Sequence, residues 1–583
     1  MRPVELALYR IPPTLRWIAN LIWHIEHDFE RARNEGRAVE DARKRIRFVL
    51  LLFVAGFLTL GFRATKAALF PALDKSEAYA PVAGERADLT DRNGQMLAVD
   101  LPRYGLYFNP KENWDLDEVQ RKLPAVLPQL QADRLAKALH AGRREYLIGG
   151  LSPDEKARVD DLGLPGVSFE DEVGRVYPQG ETAGHLVGFV DRGGAGLAGA
   201  EAGLDSQIKT DAGHGGIPLS IDLRVQAALQ DELVKAAHDF NVLGAVGIVT
   251  NVRTGEILGM SSYPTMDPNA AGTTPPADLI NHAAASVYEP GSVFKIFTLA
   301  MGLDAHLATI NTMFDARTPL ALGGQTIHDY DKDNAMLPLW EVFTHSSNIG
   351  AARLGLLAGA PRMQQYFGNF GLFAAAPSEL HESTRPIVPK VMTDNVVASM
   401  AFGQAISVSP LALATGMGSV FNGGEYIPLT IKKRDPSAPI PGERRVLAPG
   451  TSSTMLYLMR LNATEGTGVK ADAAAPGYRV GGKTGSAQKA VGGHYGKMLV
   501  SSFAAVFPTD GGFDQDRYLV LIMLDEPHAT KETFGFATGG WTAAPVAGKV
   551  IERIAPILGV QRAAGALAQK SDVDQNKLLG ADH

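Results

Sequence analysis

An arginine-rich stretch, residues 31–47, gives way to an apolar run. Phe48 to Phe62 (FVLLLFVAGFLTLGF) carries no charge, and Thr59 is its single polar side chain. As a helix this run measures about 22 Å at ~1.5 Å per residue, short of a ~30 Å hydrocarbon layer. Arg63 and Lys66 can snorkel, and apolar character resumes through Ala67, Ala68, Leu69 and Phe70, so the usable span runs from about Ile46 to Leu69. Basic residues crowd the side before it: Arg31, Arg33, Arg37, Arg43, Lys44, Arg45 and Arg47. Positive-inside reasoning therefore predicts a single membrane anchor over 48–69, with residues 1–47 in the cytoplasm and the rest outside it. A cleavable leader would be too long at more than forty residues and lacks an A-x-A site, and a buried core helix would not carry such flanks. Leu15, Ile18, Leu21, Ile22 and Ile25 recur at helical spacing within 14–34, which reads as an interfacial helix.

Beyond the anchor the pattern changes period several times. Ala87–Asn109 alternates short apolar runs about Asp91-Arg92-Asn93-Gly94, a hairpin turn signal. Residues 116–163 read as helices, and Gly193–Gly203 as a glycine-rich loop. From Asp222 to Phe240 the apolar positions (Val225, Leu229, Leu233, Ala236, Ala237) are helical. A strand pair follows, Gly244–Val252 and Glu256–Ser262, around Arg253-Thr254-Gly255. Helix and strand signals then alternate, so an α/β or α+β domain begins near residue 220. The polar end after about Gly565 reads as a loose tail.

Composition narrows the class. Of 583 residues 45% are hydrophobic and 20% charged, which suits a large core in more than one domain and excludes a disordered or collagen-like chain. There is no cysteine, which removes disulfides, thiolate nucleophiles, cysteine zinc sites and iron–sulfur clusters. That does not assign a compartment, because an oxidising one permits disulfides without requiring them. A metal site of histidines and carboxylates stays open, but the sequence holds no H-E-x-x-H or comparable histidine cluster. A net charge of −7 gives no push toward nucleic acid, and none is expected as a partner.

Three short segments carry candidate chemistry. The first is Ser292-Val293-Phe294-Lys295, after Glu289-Pro290-Gly291. Proline suits a helix start, and the apolar residues that follow predict a buried helix on which Ser292 and Lys295 share a face. The positive end of the helix dipole favours a developing alkoxide on Ser292, and a desolvated Lys295 can accept its proton. The simpler account is a surface serine with a solvated lysine, and the same S-x-x-K spacing recurs at Ser206–Lys209 and Ser486–Lys489. The second segment is Ser346-Ser347-Asn348, before a helical stretch; an N-cap serine pair would explain it alone. His345 beside it reads as a solvated loop histidine. The third is Lys483-Thr484-Gly485-Ser486, a strand with glycine at 481, 482 and 485, where another backbone can approach closely. At period two Thr484 and Ser486 share a side, suited with the lysine to a carboxylate-bearing peptide added along the edge.

In this order and spacing the three segments resemble the S-x-x-K, S-D-N and K-T-G set of penicillin-binding proteins and class A β-lactamases. The chain resembles a class B penicillin-binding protein over roughly residues 48–560. Further matches are Arg175 with Tyr177-Pro178, Gly199-Ala200-Glu201 before Asp205, Ser262-Tyr263-Pro264, Phe402-Gly403-Gln404, Glu465-Gly466-Thr467-Gly468 and Gly539-Gly540. Glu289-Pro290-Gly291 and the threonine of the third motif resemble the division-specific (FtsI-type) branch more than the elongation branch. Ser486 stands where the family more often has threonine and keeps the hydroxyl.

The resemblance implies an α+β chain. Its expected parts are a cytoplasmic segment 1–47, the anchor 48–69, a non-catalytic pedestal (dimerisation-type) domain 75–225, a transpeptidase domain 226–563 and a tail 564–583. The transpeptidase domain should be serine β-lactamase-like, with a five-stranded antiparallel sheet flanked by helices. The implied activity is D,D-transpeptidation of peptidoglycan in septal cell-wall synthesis, open to acylation by β-lactams. The resemblance implies neither a metal nor an organic cofactor. The implied roles are Ser292 as nucleophile, Lys295 as its base, Ser346 as proton relay held by Asn348 and Lys483, and Thr484, Gly485 and Ser486 at the substrate carboxylate and oxyanion. Implied partners are lipid-linked peptidoglycan, nascent glycan stem peptides, a polytopic glycosyltransferase and other divisome proteins, at the inner membrane. The motifs leave open an elongation-type enzyme, a serine β-lactamase or D,D-carboxypeptidase using water, in which Glu379 could pass for the deacylating carboxylate, and a non-catalytic β-lactam sensor or scaffold.

Overall fold

Among the described residues two five-stranded sheets organise the molecule, one within residues 89–218 and the other within residues 244–525. The structure, a computed structural model, describes residues 86–213, 215–330, 334–491 and 494–563, with isolated positions between 48 and 59. The predicted cytoplasmic segment, the 14–34 helix, the tail and nearly all of the anchor lie outside the described residues. Among those described, no helix is long and apolar enough to cross a membrane.

The first sheet is built on β2 (Met96–Phe108), thirteen residues long, which pairs antiparallel with β1 (Leu89–Thr90), β3 (Glu145–Leu151) and β4 (Val167–Val176). β5 (Ile217–Pro218) joins β1 in parallel. The turn before β2 is the one read from Asp91-Arg92-Asn93-Gly94: Asp91 accepts from the Asn93 and Gln95 amides at 2.8 and 2.9 Å. Helices α1 (Leu116–Val126), α2 (Ala132–His140) and α3 (Pro153–Asp160) cover the far end of the sheet around Leu106, Phe108, Leu123 and Leu135. Two expectations are corrected here. Residues 116–163 are not helical throughout, since β3 interrupts them, its buried Leu147 and Leu151 joining the same core. Gly199–Gly203 is a helical turn rather than loop, because Glu201 is drawn inward by Arg86 and Arg175.

The second sheet runs β8-β9-β10-β6-β7, antiparallel throughout. Its strands are β6 (Gly244–Asn251), β7 (Ile257–Tyr263), β8 (Gly481–Val491), β9 (His494–Phe507) and β10 (Tyr518–Asp525). Alternation sorts their side chains between two cores. Val249, Phe503, Val520 and Ile522 face α4 (Leu223–Asp239) and the C-terminal α9 (Ala543–Ile554). Ile248, Ala504, Leu519 and Leu521 face the larger helical layer, which holds α5 (Lys295–Asp304), α6 (Asn348–Asn369), α7 (Pro410–Phe421) and α8 (Pro449–Thr464). Burying one such side chain contributes about 1.5–3 kcal/mol, so a central strand covered on both faces is apolar along its interior, as β10 (YLVLIMLD) is up to its terminal Asp525. β8 is an edge strand, and the site forms beside it.

Candidate active site

Ser292 sits in a 3-10 turn, Gly291–Phe294, that runs directly into α5. Pro290 caps the turn and Gly291 opens it at a φ of +59°, a left-handed conformation that glycine adopts without strain. Val293, Phe294, Ile296 and Phe297 are buried, so this helix start is anchored in the core and Ser292 is left half-exposed at its N-terminal end.

One turn on, Lys295 is fully buried with its Nζ ringed by oxygen. Nζ lies 3.1 Å from Ser292 Oγ, 3.1 Å from Ser346 Oγ and 2.8 Å from Asn348 Oδ1, and it also donates to the Ser346 carbonyl. Ser346 has a φ of +59°, which turns its carbonyl and hydroxyl toward the same lysine. Lys483 reaches in from β8 and donates to Ser346 Oγ at 2.9 Å, with its Nζ 5.7 Å from the centre of the Phe343 ring. The structure thus brings Ser292, Lys295, Ser346, Asn348 and Lys483 into one cluster, with Ser346 Oγ between two lysines.

Electrostatics favour neutral amines here. Burial holds Lys295 well below the ordinary lysine value, the Lys483 charge pushes the same way, and Asp329 opposes both. Burial pushes Lys483 down to about 7. A neutral Lys295 has two N–H donors and one lone pair. The Ser346 carbonyl and Asn348 Oδ1 can only accept, so they take both donors, and the lone pair is left for a hydroxyl. The Asn348 amide is oriented independently, because its Nδ2 donates to the His328 carbonyl at 3.1 Å.

The glycines around Lys483 serve the protein's own packing. A Cβ at Gly482 would stand 2.1 Å from the Phe503 ring, and one at Gly485 would stand 2.2 Å from Ser502 Oγ. The close approach expected from the sequence is therefore to β9. Thr484 is buried and its hydroxyl is 2.8 Å from that of Thr467, while Ser486 is exposed and its Oγ accepts from the Gly539 amide at 3.0 Å. The Gly539 loop also carries exposed Phe534 and Phe536, packed on Trp541.

The competing S-x-x-K lysines are engaged elsewhere: Lys209 pairs with Asp205 at 2.6 Å, and Lys489 with Asp525 and Glu526 at 2.9 and 2.7 Å. Glu379 accepts from Thr430 Oγ1 (2.7 Å) and the Ile431 amide (3.0 Å) in the layer beside Ser220, and His345 is exposed. Both readings of the second motif coexist, since Ser347 caps α6 through the Gly350 amide while Ser346 faces the lysines.

Sequence reasoning missed Asp329, Asn462 and the role of Thr467. Asn462 donates to the Gly482 carbonyl at 2.6 Å and accepts from the Thr467 amide at 3.1 Å, tying α8 to β8. Thr467 was visible only within the Glu465–Gly468 resemblance. Nothing local marks Asp329 or Asn462.

Comparison with known proteins gives concordant results. The model described as "Penicillin binding protein transpeptidase domain" matches residues 245–552, and "Penicillin-binding Protein dimerisation domain" matches residues 81–217. A Caulobacter vibrioides protein named probable peptidoglycan D,D-transpeptidase FtsI is 52% identical over 94% of each chain. The Escherichia coli K12 peptidoglycan D,D-transpeptidase FtsI is 29% identical over 84% of this chain and 87% of its own. The fold is shared with penicillin binding protein 3 of Mycobacterium tuberculosis, solved with aztreonam, at a TM-score of 0.63 and 24% identity over 83% of this chain and 98% of that one. With the pedestal-type sheet, the five-stranded antiparallel sheet and the serine–lysine cluster at its edge, these matches show that the chain belongs to the class B penicillin-binding proteins, in the FtsI-type branch.

Proposed function

We propose that the protein is a peptidoglycan D,D-transpeptidase that cross-links stem peptides in septal wall synthesis through an acyl-enzyme on Ser292. The observation that carries this is Lys295, fully buried, with both donors of its neutral form taken by carbonyl oxygens and its Nζ 3.1 Å from the Ser292 hydroxyl. Ser292 Oγ attacks the penultimate D-Ala carbonyl of a pentapeptide stem and passes its proton to Lys295. The C–N bond to the terminal D-Ala then breaks, and Ser346, linked to both lysines, relays a proton to the leaving amine. The backbone N–H groups of Ser292 and Ser486 form the oxyanion hole, where one donor is worth ~3–4 kcal/mol of transition-state stabilisation. Thr484, Gly485 and Ser486 receive the substrate along β8, whose outer edge suits an added peptide strand, and the hydroxyls hold its carboxylate. The amine of a second stem resolves the acyl-enzyme. Glu379 is occupied by Thr430 and Ile431, which favours an amine acceptor over a hydrolytic role for that carboxylate. β-Lactams acylate Ser292 in place of the stem.

The finer setting follows from the same reading. The catalytic domain faces the periplasm, held by a single anchor over 48–69, and works with a polytopic glycosyltransferase and other divisome proteins on lipid-linked peptidoglycan.

The test is covalent labelling of the full chain in detergent by a fluorescent penicillin. Wild type and Ser206→Ala should label and decay slowly, and Ser292→Ala should not label. Rapid loss of label would indicate a hydrolase, and no label on folded wild type would sink the acyl-enzyme. A cross-linking assay with lipid-linked substrate then separates transpeptidase from sensor.

A further inference from the structure

We infer that Asp329 is a positioning residue for this site, ordering the Ser346–Asn348 turn and holding a negative charge behind Asn348, opposed to the buried lysines. The inference rests on the acyl-enzyme reading above. Both carboxylate oxygens are engaged with the turn. Oδ1 accepts from the Asn348 and Ile349 amides at 2.5 and 2.9 Å, and Oδ2 accepts from the Ser347 hydroxyl at 2.6 Å. The adjacent His328 carbonyl accepts from Asn348 Nδ2 at 3.1 Å. One two-residue segment therefore meets the backbone and side chain of Asn348, the side chain of Ser347 and the first amides of α6.

Three consequences follow. Asn348 cannot flip its amide, because a flip would set an N–H against the Lys295 amine and an oxygen against the His328 carbonyl. Ser346 is kept in a left-handed conformation that serine adopts only when its surroundings impose it, and the residues after it are pinned to Asp329. The third is electrostatic. The charged groups acting on Lys295 are Lys483 from β8, which disfavours its protonated form, and Asp329, which favours it. The other groups meeting Nζ are the neutral Ser292, Ser346 and Asn348. His328 and Tyr330 beside Asp329, and His345 before the turn, are exposed. Asp329 thus occupies the α6 N-terminus, where its charge is stabilised by the helix dipole, and from there it tempers the drive to deprotonate Lys295.

Two variants separate shape from charge. Asp329→Asn keeps an oxygen for the two amides and turns an NH2 toward Ser347, whose hydroxyl can accept. Asp329→Ala removes every acceptor. The acylation rate of the full chain in detergent by fluorescent penicillin is followed from pH 5 to pH 9, with circular dichroism to confirm folding. Asp329→Asn is expected to stay within about tenfold of wild type. Its acid limb should move down by roughly one pH unit, because Lys295 loses the anion that favoured its proton. Asp329→Ala is expected to lose roughly a hundredfold, the scale set by a misplaced catalytic group. Asp329→Ala acylating at the wild-type rate overturns the inference. So does an unmoved acid limb in Asp329→Asn, or an Asn variant no faster than the Ala variant. Unlabelled wild type, or label persisting in Ser292→Ala, strikes the acyl-enzyme reading instead.

Discussion

Lys483 shows what burial does to a single charged residue. It is fully buried, and burial pushes its ammonium down to about 7. An unfolded chain holds that proton up to the ordinary lysine value, so between about pH 7 and pH 10 it binds more protons than the folded one. Stability from this group therefore rises with pH across that window and falls as the pH drops toward 7. Lys483→Met, which fills the same space without a charge, should raise the melting temperature at pH 7, on the order of 2 kcal/mol of added stability. It should also flatten that pH dependence and lower penicillin acylation by more than about a hundredfold. Calorimetry across pH beside a labelling assay checks both; a variant no more stable than wild type would mean that burial of Lys483 carries no penalty. Lys483 was legible in the sequence because its motif is contiguous. Asp329 was not, because its partners Ser347–Ile349 lie beyond a short strand, Met336–Pro338, and a short helix, Leu339–Thr344, and only packing brings them together.

At the level of elements, β8 illustrates why a strand can tolerate three glycines. Gly481, Gly482 and Gly485 leave room for Met459, Phe503 and Ser502, side chains from α8 and β9 that press on the strand. Gly482→Ala would drive a methyl into the Phe503 ring and should destabilise the protein by about 1–3 kcal/mol, read as a lower midpoint in urea. Pairing it with Phe503→Leu should recover part of that loss, and no recovery would remove Phe503 as the cause. Strand β3 makes the opposite point. Its sequence, EYLIGGL, is too short and mixed for periodicity to assign, and it becomes a strand because β2 offers an edge some forty residues upstream. The Asp91 turn was read correctly as a hairpin, yet the fold gives Asp91 a further partner outside the turn, the Leu223 amide at the start of α4, 3.1 Å from Oδ2.

For the whole molecule, the pedestal half depends on a buried ionic network at its entry. Glu201 is fully buried and pairs with Arg86 at 2.6 Å and Arg175 at 2.7 Å. Arg175 also meets Asp100 at 3.1 Å, and Arg86 meets Asp205 at 2.7 Å. Glu201→Gln leaves two guanidinium groups short of charge in low dielectric and should destabilise the fold by about 3–5 kcal/mol, seen as faster proteolysis of residues 86–218. Penicillin acylation per folded molecule should be unchanged, since none of these groups touches Ser292; a slowed rate would mean the two halves are coupled. By itself the sequence determined what short-range geometry controls: the shared face of Ser292 and Lys295, the alternation of Thr484 and Ser486, the α4 stripe, and the family through the order of its motifs. Tertiary structure decided the rest. It set which S-x-x-K lysine is desolvated and which are neutralised by carboxylates, placed β8 at an open edge, turned Ser346 between two lysines and set Asp329 beneath it. These depend on contacts between segments tens to hundreds of residues apart, whose energies come from burial and charge at close range and leave no periodic trace along the chain.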